Sequence, residues 1–84
     1  MIIELTEKNI NEIENTFINI NEIKNELKNN PFAKILLYKE EGKVIGYLYY
    51  SDIYDRAEIN QFEIELSHRN CGKGKILLNK MLEL

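Results

Sequence analysis

Residues 57–82 read AEINQFEIELSHRNCGKGKILLNKML: a strand pattern, then a polar loop with two glycines, then an amphipathic helix. Apolar residues of the strand occupy alternate positions, but the alternation slips by one residue near Asn60 and Gln61. Such a slip predicts a β-bulge, and bulges are common beside active sites. A strand buried on both faces would give the same pattern, so both interpretations stay open here.

The amino-terminal part of the chain predicts one strand and then helix. Apolar residues in the stretch 2–5 favour a strand, and the hydroxyl of Thr6 is a typical helix N-cap. A helical apolar face follows, formed by Ile10, Ile13, Phe17, Ile20, Ile23 and Leu27. Because Asn19 and Asn21 favour caps over helix interiors, we expect two consecutive helices that end before Pro31.

The middle of the chain predicts an antiparallel hairpin. Residues 33–39 (AKILLYK) and 43–50 (KVIGYLYY) are rich in branched and aromatic side chains, and Gly42 lies in the short turn between them. A polar loop over residues 51–56 (SDIYDR) is expected to lead into a third strand over residues 57–66. The tyrosines of this region favour simple packing, with an acceptor groove as the alternative.

The last helix is predicted to begin near residue 76 and to have a broad apolar face. That face consists of Ile76, Leu77, Leu78, Met81, Leu82 and Leu84. No stop signal follows, whereas a helix that leaves a strand normally returns to the sheet in a parallel strand. We therefore expect an α/β (α+β) fold and a single partial domain over residues 1–84.

Composition limits the classes of partner. The net charge of −3 and the pI near 5.2 disfavour broad binding to nucleic acid or to anionic membranes. The one cysteine cannot form an internal disulfide, and no apolar run approaches the roughly 18 residues of a membrane span. These features predict a cytoplasmic protein with local anion binding at most, and no spacing of ligands predicts a metal site.

The glycine loop is the motif that carries chemistry. Arg69-x-x-Gly72-x-Gly74 lies between a strand and a helix, where the glycines permit a tight turn and leave no Cβ in the way of a ligand. Backbone N–H groups from Cys71 to Lys75 would then converge at the positive end of the helix, as a pyrophosphate requires. The spacing is neither that of a Walker loop nor that of a dinucleotide fingerprint. Generic phosphate binding is therefore one possible reading.

This pattern, placed after F-E-I and before K-I-L-L, resembles the acetyl-CoA motif of the GNAT N-acetyltransferase superfamily. The segments V-I-G-Y and I-Y-D-R-A-E-I resemble its third and fourth strands, and the whole is similar to the ribosomal-protein-alanine N-acetyltransferase branch. The resemblance implies a truncated GNAT fold, the amino-terminal half, whose fifth strand and later elements lie beyond Leu84.

The resemblance also implies roles for particular residues. The strand residues beside the pantetheine arm of acetyl-CoA would be Phe62, Glu63 and Ile64, with the Ile64 N–H bonded to the acetyl carbonyl. The residues around the pyrophosphate would be Arg69, Asn70, Cys71, Gly72, Lys73, Gly74 and Lys75. The acceptor would be a primary amine, with a protein N-terminus as one candidate.

Catalytic residues are weakly defined. In the family a glutamate base and a tyrosine acid often come from the later elements, so the resemblance implies that the isolated chain is inactive. Glu58 and Glu63 on the predicted strand are alternative bases, although solvent-facing strand residues are the favoured explanation for them. His68 is expected to be an exposed loop residue, and Cys71 to contribute its amide rather than its thiol.

A second hypothesis from a different class is a non-catalytic interaction module. An edge strand presents unpaired N–H and C=O groups, and the apolar side of the last helix requires cover. The sequence therefore also predicts a homo-oligomer formed through the exposed strand edge and the last helix.

Overall fold

The computed structural model describes residues 1–69 and 71–83. Alternating apolar residues build a four-stranded antiparallel sheet, in which the strands lie side by side in the order of the sequence. Predictions that fall on Asn70 and Leu84 lie outside the described residues. The strands are β1 (Ile2–Leu5), β2 (Ala33–Glu40), β3 (Lys43–Ile53) and β4 (Arg56–Ile64). The helices are a 3₁₀ helix (Glu7–Ile13), α1 (Ile20–Asn29), a 3₁₀ turn (Leu66–His68) and α2 (Lys73–Glu83). The expected α/β architecture is confirmed.

Two apolar clusters cover the two faces of the sheet. One cluster joins the sheet to the first 3₁₀ helix and α1; its buried residues are Leu5, Ile13, Ile18, Ile23, Ile35, Leu37, Val44, Tyr47 and Tyr49. The other joins the sheet to α2; its buried residues are Leu36, Leu48, Tyr50, Leu77 and Met81. Because successive strand residues point to opposite faces, neighbouring residues of β2 and β3 serve different clusters. This burial is the main source of stability for the fold.

The amino-terminal helices confirm the predicted cap and the predicted break. The Thr6 hydroxyl accepts a hydrogen bond from the Lys8 N–H at 3.2 Å, and Asn19 caps α1. The first helix is a 3₁₀ helix rather than an α-helix, and Asn15 has a φ of 59° in the turn that follows. That turn changes the helical phase. As a result Ile18 is buried and Phe17, which was expected in the core, is exposed.

Two tight hairpins connect β2, β3 and β4. The first has the expected turn, with positive φ values of 52° at Glu41 and 79° at Gly42. The loop predicted over residues 51–56 is wrong, because β3 continues to Ile53 and only Tyr54 and Asp55 separate it from β4. Tyr54 adopts a φ of 54°, which a two-residue hairpin turn requires.

The bulge predicted in β4 is confirmed. Gln61 pairs with Tyr49 whereas Ile59 pairs with Tyr50, so Asn60 is the extra residue. The alternative of a strand buried on both faces is wrong, since most β4 side chains are exposed. β4 also ends at Ile64 rather than at residue 66.

Helix α2 begins earlier than predicted and covers the second face of the sheet. It starts at Lys73, and its buried residues are Leu77 and Met81. Gly46 in β3 leaves room for the Ile64 side chain of β4, because a Cβ there would overlap that side chain; the same Cβ would be in ordinary contact with Leu77 Cδ1 of α2, at 3.5 Å. No helix formed by the described residues has the length and apolar character that crossing a membrane requires.

Candidate functional site

The outer edge of β4 presents backbone donors beside the glycine loop. Antiparallel pairs alternate between hydrogen-bonded and non-bonded types, and the Glu65 N–H donates to Ile45 O at 2.8 Å. With Gly46 paired to Ile64, the alternation directs the N–H groups of Phe62 and Ile64 away from β3. Among residues 1–69 and 71–83, no strand pairs with this outer edge. The two N–H groups therefore face a surface that a ligand could occupy.

The loop before α2 brings a helix N-terminus to the same edge. Gly72 has a φ of +78°, and no atom lies within 4 Å of where its Cβ would be. The Ile76 N–H donates to Gly72 O at 3.2 Å and so forms the first helical bond. The N–H groups of the preceding residues of α2 have no intrahelical acceptor, which makes this end suitable for an anion.

The second glycine of the loop has a different role. A Cβ on Gly74 would lie 3.1 Å from Cζ of Phe62 and 3.7 Å from Cγ1 of Ile64. Gly74 therefore allows the first turn of α2 to lie directly against the end of β4. The helix N-terminus and the outward N–H groups of β4 are adjacent for this reason.

Two clefts adjoin this edge. The loop cleft, about 360 Å³ in volume, is lined by Phe62, Glu63, Ile64, His68, Arg69, Gly72, Lys73 and Gly74. The α1 cleft, about 400 Å³ in volume, is lined by Phe17, Ile18, Asn19, Glu22, Ile23, Tyr47, Gln61, Phe62 and Glu63. Phe62 and Glu63 line both clefts, so a group bound in one cleft lies next to a group bound in the other.

The three cationic side chains of the loop differ in their contacts within the protein. Arg69 Nε donates to Ile64 O at 2.8 Å, which attaches the loop to the end of β4. Lys73 Nζ lies 2.9 Å from Glu40 Oε1 and 2.9 Å from His68 Nδ1, whereas Lys75 is exposed. His68 was expected to be an exposed loop residue, but it is half-buried, and its Nδ1 lies against Lys73 Nζ.

A chain of polar contacts crosses the α1 cleft. The Tyr47 hydroxyl donates to Gln61 Oε1 at 2.8 Å, and Gln61 Nε2 donates to Glu22 Oε1 at 2.5 Å. Burial, with the nearby carboxylates of Glu63 and Glu22, raises the pKa of Tyr47. The phenol therefore stays protonated at neutral pH and acts as a donor, while two carboxylates give the cleft a negative potential.

The structure separates the carboxylates suggested as bases. Glu63 lines both clefts, whereas Glu58 pairs with Arg56 at 3.2 Å near the β3–β4 turn, at the opposite end of β4 from the loop. The Cys71 side chain is exposed, with Sγ 3.5 Å from Arg69 O.

Several residues of the site carried no signal in the sequence. Glu22 and Gln61 meet across 39 positions of sequence, and Glu40 reaches Lys73 across 33. The sequence predicted one part of this arrangement, because a helix that is capped by Asn19 has Glu22 in its first turn. The position of α1 on the sheet then decides what Glu22 contacts.

Comparisons with known proteins agree with this architecture. The model of the Acetyltransferase (GNAT) family matches residues 3–84. The comparison with curated proteins found no match.

Solved structures share the fold at low sequence identity. A ribosomal-protein-alanine N-acetyltransferase from Brucella melitensis biovar Abortus 2308 is 15% identical with a TM-score of 0.78, over 99% of this chain and 69% of that one. One from Brucella melitensis is 21% identical with a TM-score of 0.68, over 99% and 65%. An aminoglycoside acetyltransferase from an uncultured soil metagenomic sample is 18% identical with a TM-score of 0.63, over 99% and 69%. The chain thus spans about two thirds of the length of these structures.

Proposed function

The chain belongs to the GNAT acetyltransferase family, and we propose that it binds acetyl-CoA along the outer edge of β4 as part of an enzyme that acetylates a primary amine. The observation that carries this proposal is the register of β4 after the bulge at Asn60. It directs the N–H groups of Phe62 and Ile64 outward, beside the N-terminus of α2. A thioester carbonyl and a pyrophosphate could then meet backbone donors along one continuous surface.

The residues present fit such a ligand. The loop cleft offers about 360 Å³, and the open space beside Gly72 allows phosphate oxygens to approach the backbone. N–H groups at the start of α2 would hold the pyrophosphate, with charge from Lys75 and the free part of the Arg69 guanidinium. Acetyl-CoA supplies the activated acetyl group; the Ile64 N–H would stabilise negative charge on its carbonyl oxygen.

The α1 cleft is proposed as the acceptor site. An amine in this cleft would lie next to a thioester in the loop cleft, because Phe62 and Glu63 line both. Glu63 would attract the ammonium form and accept the proton that the amine must lose before it attacks. An alanine at a protein N-terminus is the acceptor we propose, in line with the names of two of the similar structures.

Calorimetric titration with CoA tests cofactor binding directly. We expect saturable binding of one CoA per chain, which Gly72→Val abolishes through both its positive φ and its added bulk. Absence of binding by the unmodified chain would contradict the proposal. Turnover of acetyl-CoA is a separate question, which is tested by measuring thiol release in the presence of amine acceptors. We predict that the 84-residue chain alone releases no thiol above background.

A second candidate function is association through the same edge. Large apolar side chains are exposed along β4, the following turn and α2: Ile59, Phe62, Leu66, Ile76 and Leu82. Two copies could pair their β4 edges and cover these residues. Because the edge would then be occupied, association and CoA binding should compete.

Light scattering coupled to size exclusion, with and without CoA, distinguishes these states. Association predicts a dimer at micromolar concentration that CoA dissociates. A 10.0 kDa monomer in both conditions would contradict it.

A further inference from the structure

Lys73, in the middle of the glycine loop motif, lines the loop cleft, but its ammonium is bonded to other side chains of the protein. The ammonium contacts the Glu40 carboxylate and the His68 ring, each at 2.9 Å. Its side chain is 17% exposed although it belongs to the first turn of a surface helix. Glu40 is the last residue of β2, so the contact ties the start of α2 to the β2–β3 turn.

The chemistry of these three groups fixes their roles. An ammonium has three donors and no acceptor, so His68 Nδ1 must accept and the ring proton must be on Nε2. Two of the three ammonium hydrogens are thereby used within the protein. The hydrogen bond to Glu40 raises the pKa of Lys73, and the hydrogen bond to Lys73 lowers the pKa of Glu40, as an ion pair requires.

Other contacts hold the same segment from its opposite side. Arg69 Nε bonds to Ile64 O at 2.8 Å, and Lys43 Nζ lies 3.9 Å from Glu65 Oε1. The loop is therefore attached to β4 at its beginning, and through Lys73 to β2 at its end. Cys71 and Gly72, the described residues between these attachments, are thus restrained from both sides before any ligand arrives.

We infer that Glu40 is a positioning residue for the pyrophosphate site, which acts through Lys73 to hold the loop and the first turn of α2 in the binding orientation. This inference rests on the proposed function. By the same inference the Lys73 ammonium stays bonded to Glu40 and does not bind the phosphates. The backbone N–H groups and the other loop cations bind them instead. Glu40 itself touches no part of the ligand.

The test compares CoA affinities of four variants by calorimetry. Glu40→Gln and Lys73→Met should each weaken binding about two- to fivefold, the range expected for a partly exposed ion pair, and the double variant should be no weaker than either. The charge swap E40K/K73E should restore affinity to within about twofold of the unmodified chain. If Lys73 instead contacts a phosphate, Lys73→Met costs about tenfold or more while Glu40→Gln costs nothing, and the inference is wrong.

A matched control comes from a second ion pair on the adjacent residue. Lys39 and Glu12 lie 2.6 Å apart with side-chain exposures of 18% and 38%, against 17% and 38% for Lys73 and Glu40. That pair joins β2 to the first 3₁₀ helix rather than to the loop. Glu12→Gln should therefore leave CoA affinity unchanged, and a loss equal to that of Glu40→Gln would overturn the inference.

Amide hydrogen exchange without ligand supplies a readout that does not depend on CoA. The Ile76 N–H, which donates to Gly72 O, should exchange severalfold faster in Glu40→Gln and Lys73→Met but not in Glu12→Gln. Unchanged exchange in both loop variants refutes the positioning role. If exchange responds and the unmodified chain binds no CoA, the acetyl-CoA proposal fails while the attachment of the loop through Glu40 is upheld.

Discussion

Replacing Gly72 by alanine tests the role of the loop against a matched control, because Gly42 has nearly the same positive φ elsewhere in the chain. Gly72 has a φ of +78° and Gly42 a φ of +79°, and neither position has an atom within 4 Å of a built Cβ. An alanine at either position suffers the same conformational strain and no steric clash. The two variants should differ only in what surrounds the added methyl group.

The expected loss of stability follows from that geometry. A side chain in the left-handed region costs about 1–2 kcal/mol. We therefore expect each variant to lose about 1 kcal/mol, which lowers the Tm of a domain this small by about 4–8 °C. Affinity should separate them: Gly72 lines the loop cleft, so a methyl group added there should weaken CoA binding at least tenfold, or about 1.4 kcal/mol.

Thermal unfolding by circular dichroism and CoA titration by calorimetry, on the same protein preparations, give both quantities. Gly42→Ala should retain the affinity of the unmodified chain despite its lower Tm. Equal loss of affinity in the two variants would mean that lower stability alone weakens binding. Full affinity in Gly72→Ala would mean that the phosphates do not approach this backbone, and the site would be misplaced.

Three further outcomes follow from the structure. The hydrogen bond between Lys73 and Glu40 lowers the pKa of Glu40 below 4.5 and raises the pKa of Lys73 above 10.5. The ion pair therefore stabilises the folded chain fully between these two pH values. This stabilisation is lost as the pH falls through the folded pKa of Glu40. Urea unfolding of the unmodified chain and Glu40→Gln should thus differ at pH 7 and converge well below pH 4.5. Gly46→Ala should lower the free energy of unfolding by about 1–3 kcal/mol, measured likewise, because the Ile64 side chain and Glu63 O crowd its Cβ. Glu63→Gln should weaken binding of an alanine-initiated peptide to the CoA-loaded chain about fivefold in calorimetry, and an unchanged affinity would remove Glu63 from the acceptor site.

Local sequence signals predicted most of the fold because they act over a few residues. The Thr6 cap, the Asn19 break, the turn at Gly42 and the bulge at Asn60 each depend on neighbouring positions alone. The bulge was visible because one extra residue reverses the apolar phase of everything after it. The same signal located the part of β4 that later defines the site.

The errors have long-range or competing causes. The 51–56 segment has the polar composition of a loop, but pairing with β4 extends β3 to Ile53 and leaves a two-residue turn. Phe17 lies in helical phase with the core, yet the turn at Asn15 rotates it out and brings Ile18 in. Helical periodicity says nothing about such a change of direction.

The sequence predicted those parts of the candidate site that consist of backbone groups, and it did not predict the contacts between side chains. Glycines and the strand phase are local features, so the positions of the loop and of the bulged part of β4 along the chain could be predicted from the sequence, whereas the start of α2 was predicted too late. The partners of Lys73 and the contact between Glu22 and Gln61 depend on how α1, α2 and the hairpins pack together. Side chains that meet across the fold leave no short-range pattern.

The most direct test of the acetyl-CoA proposal is a ¹⁵N NMR titration of the chain with CoA, with every backbone amide of β4 and the loop observed at once. Binding along the outer edge predicts large shifts at Phe62, Ile64 and the amides that begin α2, and small shifts at Gln61 and Glu63, whose N–H groups face β3. Shifts of equal size at both sets of β4 amides, or shifts confined to the opposite edge at β1, would contradict it.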